Sequence, residues 1–386
     1  MNSNTDQTPP LHLQRGRRWL SDLARGRDSN LTLIRFLAAT AVVYAHSYGL
    51  PGHTHSEPFF RLMKRGLGDL GVDIFFVISG FLVMKSLLGK ESIGAFAWAR
   101  ITRIFPALWI STLLLVAVVG LFLSPLSASD FWIQRETLTY ILKNSTMLPG
   151  VGAQMQLPNA LLQSHSGFNI PLWTLPHELQ MYALLAVLGA IGIARYGWVL
   201  VCVSLLGLMS LIGEHLGLDT LIISGTRARF LFLFFAGASL YSYRHRIAMH
   251  AGVFWLLLAA VVSVCLLTTN ISARQLALMI AAPYLVLLLA YIPTGAIRRF
   301  NALGDYSYGI YILAFPLQLM IIDYLHVERP LTHFALSMCA VLPFAIASWH
   351  LIESRFLSLP PPQLLKRLIR LKPERDTVAA LQAAEE

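Results

Sequence analysis

The chain has 386 residues, of which 56% are hydrophobic and 13% are charged, whereas about a quarter of the residues in a soluble domain carry a charge. This composition excludes an ordinary soluble fold and predicts one polytopic membrane domain. The formal net charge of +10 does not predict a nucleic-acid-binding protein, because the basic residues lie between apolar segments rather than in one cluster with aromatic residues. The three cysteines are far apart within apolar segments, so we expect neither a disulfide nor a metal site.

Ten apolar segments approach or exceed the roughly 20 residues that a helix needs to cross about 30 Å of hydrocarbon. They predict an all-α, polytopic membrane protein with ten transmembrane helices. The segments lie at 31–50, 69–89, 104–124, 175–194, 197–213, 226–243, 250–269, 273–292, 303–325 and 331–353. The segment 131–148 is too polar to span the membrane, so we expect it to lie at the interface or to form a re-entrant helix.

The distribution of lysine and arginine orients these segments in the membrane. If the N-terminus is cytoplasmic, most of the 30 basic residues fall on the cytoplasmic side, as the positive-inside rule requires. We therefore predict that both termini are cytoplasmic. The predicted organisation is a basic N-terminal segment at 1–30, a transmembrane domain at 31–354 with a long extracytoplasmic loop at 125–174, and an amphipathic, basic tail at 355–386 on the inner leaflet.

The first apolar segment contains RFLAATAVVYAH, which has Arg35 and His46 at its ends. On a helix this spacing places both side chains on one face, roughly 16 Å apart along the axis. Ionisable groups within a span are costly and indicate function. A lone histidine in a helix is more often structural than catalytic, but the arginine on the same face favours a function. Because an imidazole can take up a proton near neutral pH, His46 is a candidate general base.

The second segment begins with Asp69 and Asp73, which lie one turn apart on the same helix face. These carboxylates belong either to a polar packing seam or to an active site, for which Asp73 is the candidate. Ser79 and Gly80 follow, and such small residues allow two helices to approach closely.

The sequence ARITRIFP precedes the third segment, with Arg100 and Arg103 one turn apart and Pro106 at the expected helix start. Two guanidinium groups at this position suit a phosphate or pyrophosphate ligand. Ordinary positive-inside anchoring explains the same two residues.

The fourth segment begins with PLWTLPHELQMYALL, in which Pro176 suits a first helical turn. Glu178 is favourable near a helix N-terminus whether or not it has a function. Because neighbouring residues point about 100° apart, we expect only one of His177 and Glu178 to face His46, at the outer end of this helix. Arg229, at the start of the sixth segment, provides a positive group for an anionic sugar or an oxyanion.

From about residue 30 to about 357, these motifs together resemble the membrane-bound acyltransferase 3 family. The ten residues between Arg35 and His46 resemble the first-helix R-x10-H pattern of the family, and GVDIFFVISGFL is similar to its second-span signature. The Arg100 and Arg103 pair resembles its R-x-x-R motif. One departure is Ala314, which stands where many members have histidine.

A further motif, WTLPHELQMY, resembles the family's Trp-(Ser/Thr)-Leu…Glu…Tyr element. The resemblance implies an enzyme of the bacterial inner membrane that transfers an acyl group from acyl-CoA, usually acetyl-CoA, to a hydroxyl of an extracytoplasmic polysaccharide or glycolipid, without a metal. The implied site has the catalytic residues His46, Glu178 and Asp73, the donor-binding residues Arg35, Arg100 and Arg103, and the substrate-binding residues His177, Arg229 and Trp173. His46 either removes the proton of the acceptor hydroxyl or carries the acyl group.

Two other interpretations of the sequence stay open. A secondary transporter or flippase would use His46, Asp73 and Glu178 as a proton relay, although internal repeats typical of transporters are not evident. A non-catalytic membrane scaffold would leave no reason for Arg35 and His46 to share a helix face.

Overall fold

The computed structural model describes residues 18–26, 28–147, 167–218, 223 and 225–369. Most of the predicted N-terminal segment, part of the predicted loop 125–174 and the end of the predicted tail therefore lie outside the described residues. Within the described ranges the chain folds into helices joined by turns and short connections, with a single antiparallel bridge between Trp19 and Ala248. The predicted all-α class is confirmed.

Ten principal helices occur among the described residues. They are α1 (Leu31–Gly49), α2 (Leu67–Leu88), α3 (Ile93–Val118), α4 (Leu175–Ala190), α5 (Gly197–His215), α6 (Gly225–Ser242), α7 (Ala251–Leu267), α8 (Ile271–Tyr291), α9 (Ser307–Leu325) and α10 (Pro330–Ser348). Wider turns extend α3 through Val119–Leu123 and α10 through Trp349–Glu353 into Ser354–Leu357. Shorter helices are Leu20–Leu23, Thr54–Ser56, Pro58–Met63, Ala128–Ile133, Arg135–Thr146, Ile170–Thr174, Ala296–Ala302 and Gln363–Lys366.

In the described part of the chain, seven helices are long and apolar enough to cross a membrane, namely α1, α2, α3, α5, α8, α9 and α10. The predicted count of ten spans is not confirmed. With 16 and 17 residues, α4 and α7 are shorter than the hydrocarbon core requires of a straight helix. Helix α6 carries Arg227 and Arg229 near its start, which lowers its hydropathy. The location of both termini in the cytoplasm stays a prediction.

The start of the third helix differs from the prediction. Helix α3 begins at Ile93, where the Ser92 hydroxyl caps it by accepting a hydrogen bond of 3.2 Å from the backbone N–H of Ala95. Pro106 lies inside this helix and not at its start, as membrane helices tolerate when neighbouring groups satisfy the freed backbone carbonyl. Arg100 and Arg103 therefore lie on a continuous helix.

The described residues 131–147 of the polar segment 131–148 do not form a span, as expected. Its main element, Arg135–Thr146, has 12 residues and packs beside α3, where the Trp109 Nε1 donates a 2.9 Å hydrogen bond to the carbonyl of Ser145.

Helix α2 lies at the centre of the bundle, between α1 on one side and α6 on the other. Glycines allow both approaches, since a Cβ at Gly71 would collide with the carbonyl of Ala38, and one at Gly80 with the carbonyl of Phe234. Helix α9 packs against α1 and α10. This arrangement leaves a cavity between α1, α2, α3, α4 and the start of α9.

Candidate active site

The cavity has a volume of about 600 Å³, which is within the range of small-molecule sites. It lies toward the end of the bundle where α1 and α9 begin and where α2 ends. Besides apolar residues, it is lined by ionisable side chains from five parts of the fold: Arg35, Lys85, Arg100, Arg103, Glu178 and Asp305. The cavity therefore contains four of the nine site residues that were predicted from the sequence.

Asp305 connects two of the predicted arginines. Its carboxylate accepts hydrogen bonds from Arg35 and, at 2.8 Å, from Arg103, and the Ser307 hydroxyl donates to it at 2.5 Å. Burial alone would raise the pKa of Asp305, but the two guanidinium groups and the bonds from Ser307 outweigh burial and hold the pKa at about 2. Asp305 is therefore ionised at neutral pH and holds Arg35 and Arg103 on the wall of the cavity.

Sequence reasoning missed Asp305, although a signal was present. The residue lies within the predicted ninth segment, 303–325, and an acidic residue there indicates function by the same argument that selected His46. In the structure it precedes the first residue of α9, Ser307, by two positions.

Arg100 differs from the other two arginines. No ion-pair partner for it occurs among the described residues, and its buried Nε has no hydrogen-bond partner there. Its guanidinium carbon lies 5.8 Å from the centroid of the Tyr182 ring, a favourable cation–π contact. Because Arg35 and Arg103 share the charge of Asp305, Arg100 is the arginine with unused capacity to bind an anion.

Glu178 faces the cavity from the first turn of α4. Its Oε1 accepts a 2.6 Å hydrogen bond from the Ser79 hydroxyl and a second hydrogen bond from the Tyr182 hydroxyl. Ser79 is the thirteenth residue of α2, about 18 Å along the helix axis from its start. Helix α4 thus begins deep inside the bundle and not at its surface as expected, which explains why it is short.

His177, next to Glu178, points in a different direction, as expected for neighbours on a helix. Its ring contacts the rings of Trp173 and Phe230, with centroid distances of 5.8 and 5.5 Å. None of these three residues is among the described residues that line the cavity, and the predicted substrate-binding roles of His177 and Trp173 stay predictions.

His46 lies near the other end of α1 and is not among the described residues that line the cavity. Its half-buried ring meets the ring of Phe315 edge-on, with centroids 5.0 Å apart. Tyr311, one turn closer to the start of α9 than Phe315, lines the cavity; its hydroxyl is 2.5 Å from that of Thr174 and its ring contacts Phe75. The structure does not bring His46 into one cavity with Glu178.

Asp73 and Arg229, for which the sequence predicted separate roles, are brought together. The Arg229 Nε donates to the Asp73 Oδ1 at 2.5 Å, and another guanidinium nitrogen lies 3.3 Å from Asp69. Arg65 lies 3.4 Å from Asp73 on the other side. The two carboxylates share a helix face, as predicted, and the cluster joins α2 to α6.

A bundle of apolar helices around a charged cavity defines a multi-pass membrane protein, and the cavity is its candidate site for a small polar ligand. The chain belongs to the acyltransferase 3 family, because the model of this family, described as an acyltransferase domain, matches residues 28–350. It is therefore an enzyme that transfers acyl groups, which confirms the resemblance inferred from the sequence motifs.

Two relatives match along most of their length. A protein named O-acetyl transferase, from Shigella phage Sf6, is 30% identical over 355 residues, which cover 86% of this chain and 96% of that protein. A protein named nodulation protein 10, from Rhizobium leguminosarum bv. viciae, is 27% identical over 375 residues, covering 89% and 97% respectively. No solved structure matches the chain significantly.

Proposed function

We propose that this protein is an integral membrane O-acetyltransferase of the bacterial inner membrane. It transfers the acetyl group of acetyl-CoA to a hydroxyl of an extracytoplasmic polysaccharide or glycolipid. The family supports acyl transfer, and the similarity to the phage protein named O-acetyl transferase supports transfer to oxygen. Under the predicted orientation, the cavity opens toward the cytoplasm, where acetyl-CoA is found.

The observation that carries the donor assignment is the guanidinium group of Arg100, which faces the cavity and has no ion-pair partner among the described residues. Its side chain is partly buried and its buried Nε lacks a hydrogen-bond partner there, and the phosphate groups of CoA would supply the missing charge and the hydrogen-bond acceptors. The lining has four basic and two acidic side chains, so an anionic ligand is favoured overall. Arg35 and Arg103, which Asp305 holds in place, contribute a preorganised positive wall.

His46 serves the acceptor in this proposal. It lies at the opposite end of α1 from Arg35 and outside the described lining of the cavity, and it removes the proton of the acceptor hydroxyl or carries the acyl group. Glu178 lies in the cavity, where the proposal places the donor, and not beside His46. The mutual ion pair of Asp73 and Arg229 supports a role in positioning α2 and α6 in place of the catalytic and substrate-binding roles predicted for them.

A proton-relay transporter is less well supported, because its relay would need His46, Asp73 and Glu178 to be linked. The described contacts of these residues belong to three different environments. His46 packs on Phe315, Asp73 pairs with Arg229, and Glu178 bonds to Ser79 and Tyr182.

Replacing Arg100 with alanine tests the donor site. Loss of a charge-assisted hydrogen bond costs about 1.5–3 kcal/mol, so we expect Arg100→Ala to weaken acetyl-CoA binding about 10- to 100-fold, measured by isothermal titration calorimetry on protein in nanodiscs. Lys90→Ala is the matched control, because Lys90 is exposed and is absent from the cavity lining. Equal affinities for Arg100→Ala and wild type would reject the donor assignment.

A further inference from the structure

Ser79 and Gly80 are adjacent small residues on α2, and the sequence suggests the same packing role for both. In the structure the two residues have different surroundings. Gly80 meets the backbone of Phe234 on α6 at a distance that excludes any side chain. Ser79 faces the cavity instead, and its hydroxyl is bonded to Glu178. Close helix packing therefore accounts for the glycine at position 80 but does not account for the serine at position 79.

The surroundings of Ser79 have the geometry of an activated nucleophile. Its Oγ is 2.6 Å from the Oε1 of Glu178, which is a candidate base. The Tyr182 hydroxyl also donates to this Oε1 and lies 3.1 Å from the Ser79 Oγ. A hydroxyl, a base in hydrogen-bond contact with it and a third group that orients the base are the three parts of a nucleophilic site.

The position of Ser79 in the cavity connects this geometry to the donor. Arg100, which we assign to the CoA phosphates, lies over the ring of Tyr182, so the anion-binding group and the nucleophile share one wall. His46 is not among the described residues that line this cavity. A donor bound in the cavity therefore lies next to Ser79 and not next to His46.

Building on the proposed function, we propose that Ser79 is a catalytic nucleophile that accepts the acyl group from acyl-CoA. The Ser79 O–H proton moves to Glu178, a bond forms between Oγ and the thioester carbonyl carbon, and the C–S bond breaks. CoA leaves as a thiolate, which takes a proton from water. The product is an acyl-serine ester, with Tyr182 keeping the Glu178 carboxyl group beside it.

The second half-reaction returns the serine to its free form. The acceptor oxygen attacks the acyl-serine carbonyl while its proton moves to His46, the bond between the carbonyl carbon and Oγ breaks, and Glu178 returns its proton to Ser79. His46 then releases its proton to water, which balances the proton that the CoA thiolate took up. Because Ser79 lines the cavity and His46 does not, the helices have to open between them for this step. A covalent intermediate allows CoA to leave before the acceptor enters, which predicts ping-pong kinetics.

The experiment is to incubate the purified full-length protein in nanodiscs with radiolabelled acetyl-CoA without acceptor, to denature it, and to map the label by mass spectrometry of its peptides. We expect an ester-linked acetyl group on Ser79 that hydroxylamine removes. Ser79→Ala should lose the label, Ser79→Cys should carry it as a thioester, and Tyr182→Phe should acquire it more slowly. Ser86→Ala, on the same helix but outside the cavity lining, should be labelled like wild type.

Two kinds of result would contradict these proposals. Label on His46, or Ser79→Ala that transfers acetyl to the acceptor at the wild-type rate, would overturn the role of Ser79 while leaving the proposed function intact. A wild-type protein that neither binds nor consumes acetyl-CoA would overturn the proposed function, and the acyl-serine with it.

Discussion

Replacing His46 with alanine is expected to lower acetyl transfer to the acceptor about 10²- to 10⁴-fold, which is the usual contribution of a general base. The side chain of His46 has no hydrogen bond or ion pair among the described residues, and its described ring contact is with Phe315. Removal of the ring therefore leaves no buried partner unpaired, and we expect the amount of folded protein to be unchanged.

The measurement uses a deletion strain that is complemented with wild type or with His46→Ala, scoring ester-linked acetyl on surface glycans at matched protein levels. His53→Ala is the control, because His53 follows the end of α1 closely and is exposed. Acetylation restored to the wild-type level by His46→Ala would show that His46 is not the base.

Replacing Asp305 with asparagine is expected to destabilise the protein by about 3–5 kcal/mol, the usual cost of removing one partner from a buried charge pair. Asp305 is the shared partner of Arg35 and Arg103, and all three side chains are largely buried. Arg103 keeps a second, longer contact of 3.5 Å with Glu353. In the variant, Arg35 retains no anionic partner among the described residues.

The unfolding of the detergent-purified variants, followed by intrinsic tryptophan fluorescence during heating, measures this effect. Asp28→Asn is the matched control, since Asp28 pairs with Arg298 through a side chain that is 72% exposed and such pairs contribute about 0–1 kcal/mol. Equal midpoints for Asp305→Asn and Asp28→Asn would mean that Asp305 does not support the two arginines.

The helices and several cavity residues could be predicted from sequence because their signals are local. Apolar length predicts spans, and the spacing of Arg100 and Arg103 is a property of one helix. Pro106 misled the prediction of the helix start, since a proline favours a first turn in sequence statistics but can lie inside a membrane helix that is supported by its neighbours.

Contacts between distant segments could not be predicted in this way. Asp305 bonds to Arg35 across 270 positions and Asp73 to Arg229 across 156, and helical periodicity contains no information about either pair. The deep start of α4 depends on the chain entering the bundle before Leu175, which brings Glu178 to Ser79. From the sequence alone, Glu178 is therefore predicted to face His46, and Ser79 is predicted to be a packing residue.

Under the proposed function, this membrane protein uses acetyl-CoA to form an ester on a glycan. Inside-out membrane vesicles from the deletion strain, with and without the wild-type protein, can be supplied with radiolabelled acetyl-CoA at the exposed cytoplasmic face. We predict alkali-labile label on vesicle glycans that depends on the protein and is reduced in Arg100→Ala. The same amount of glycan label with and without the protein would contradict the account.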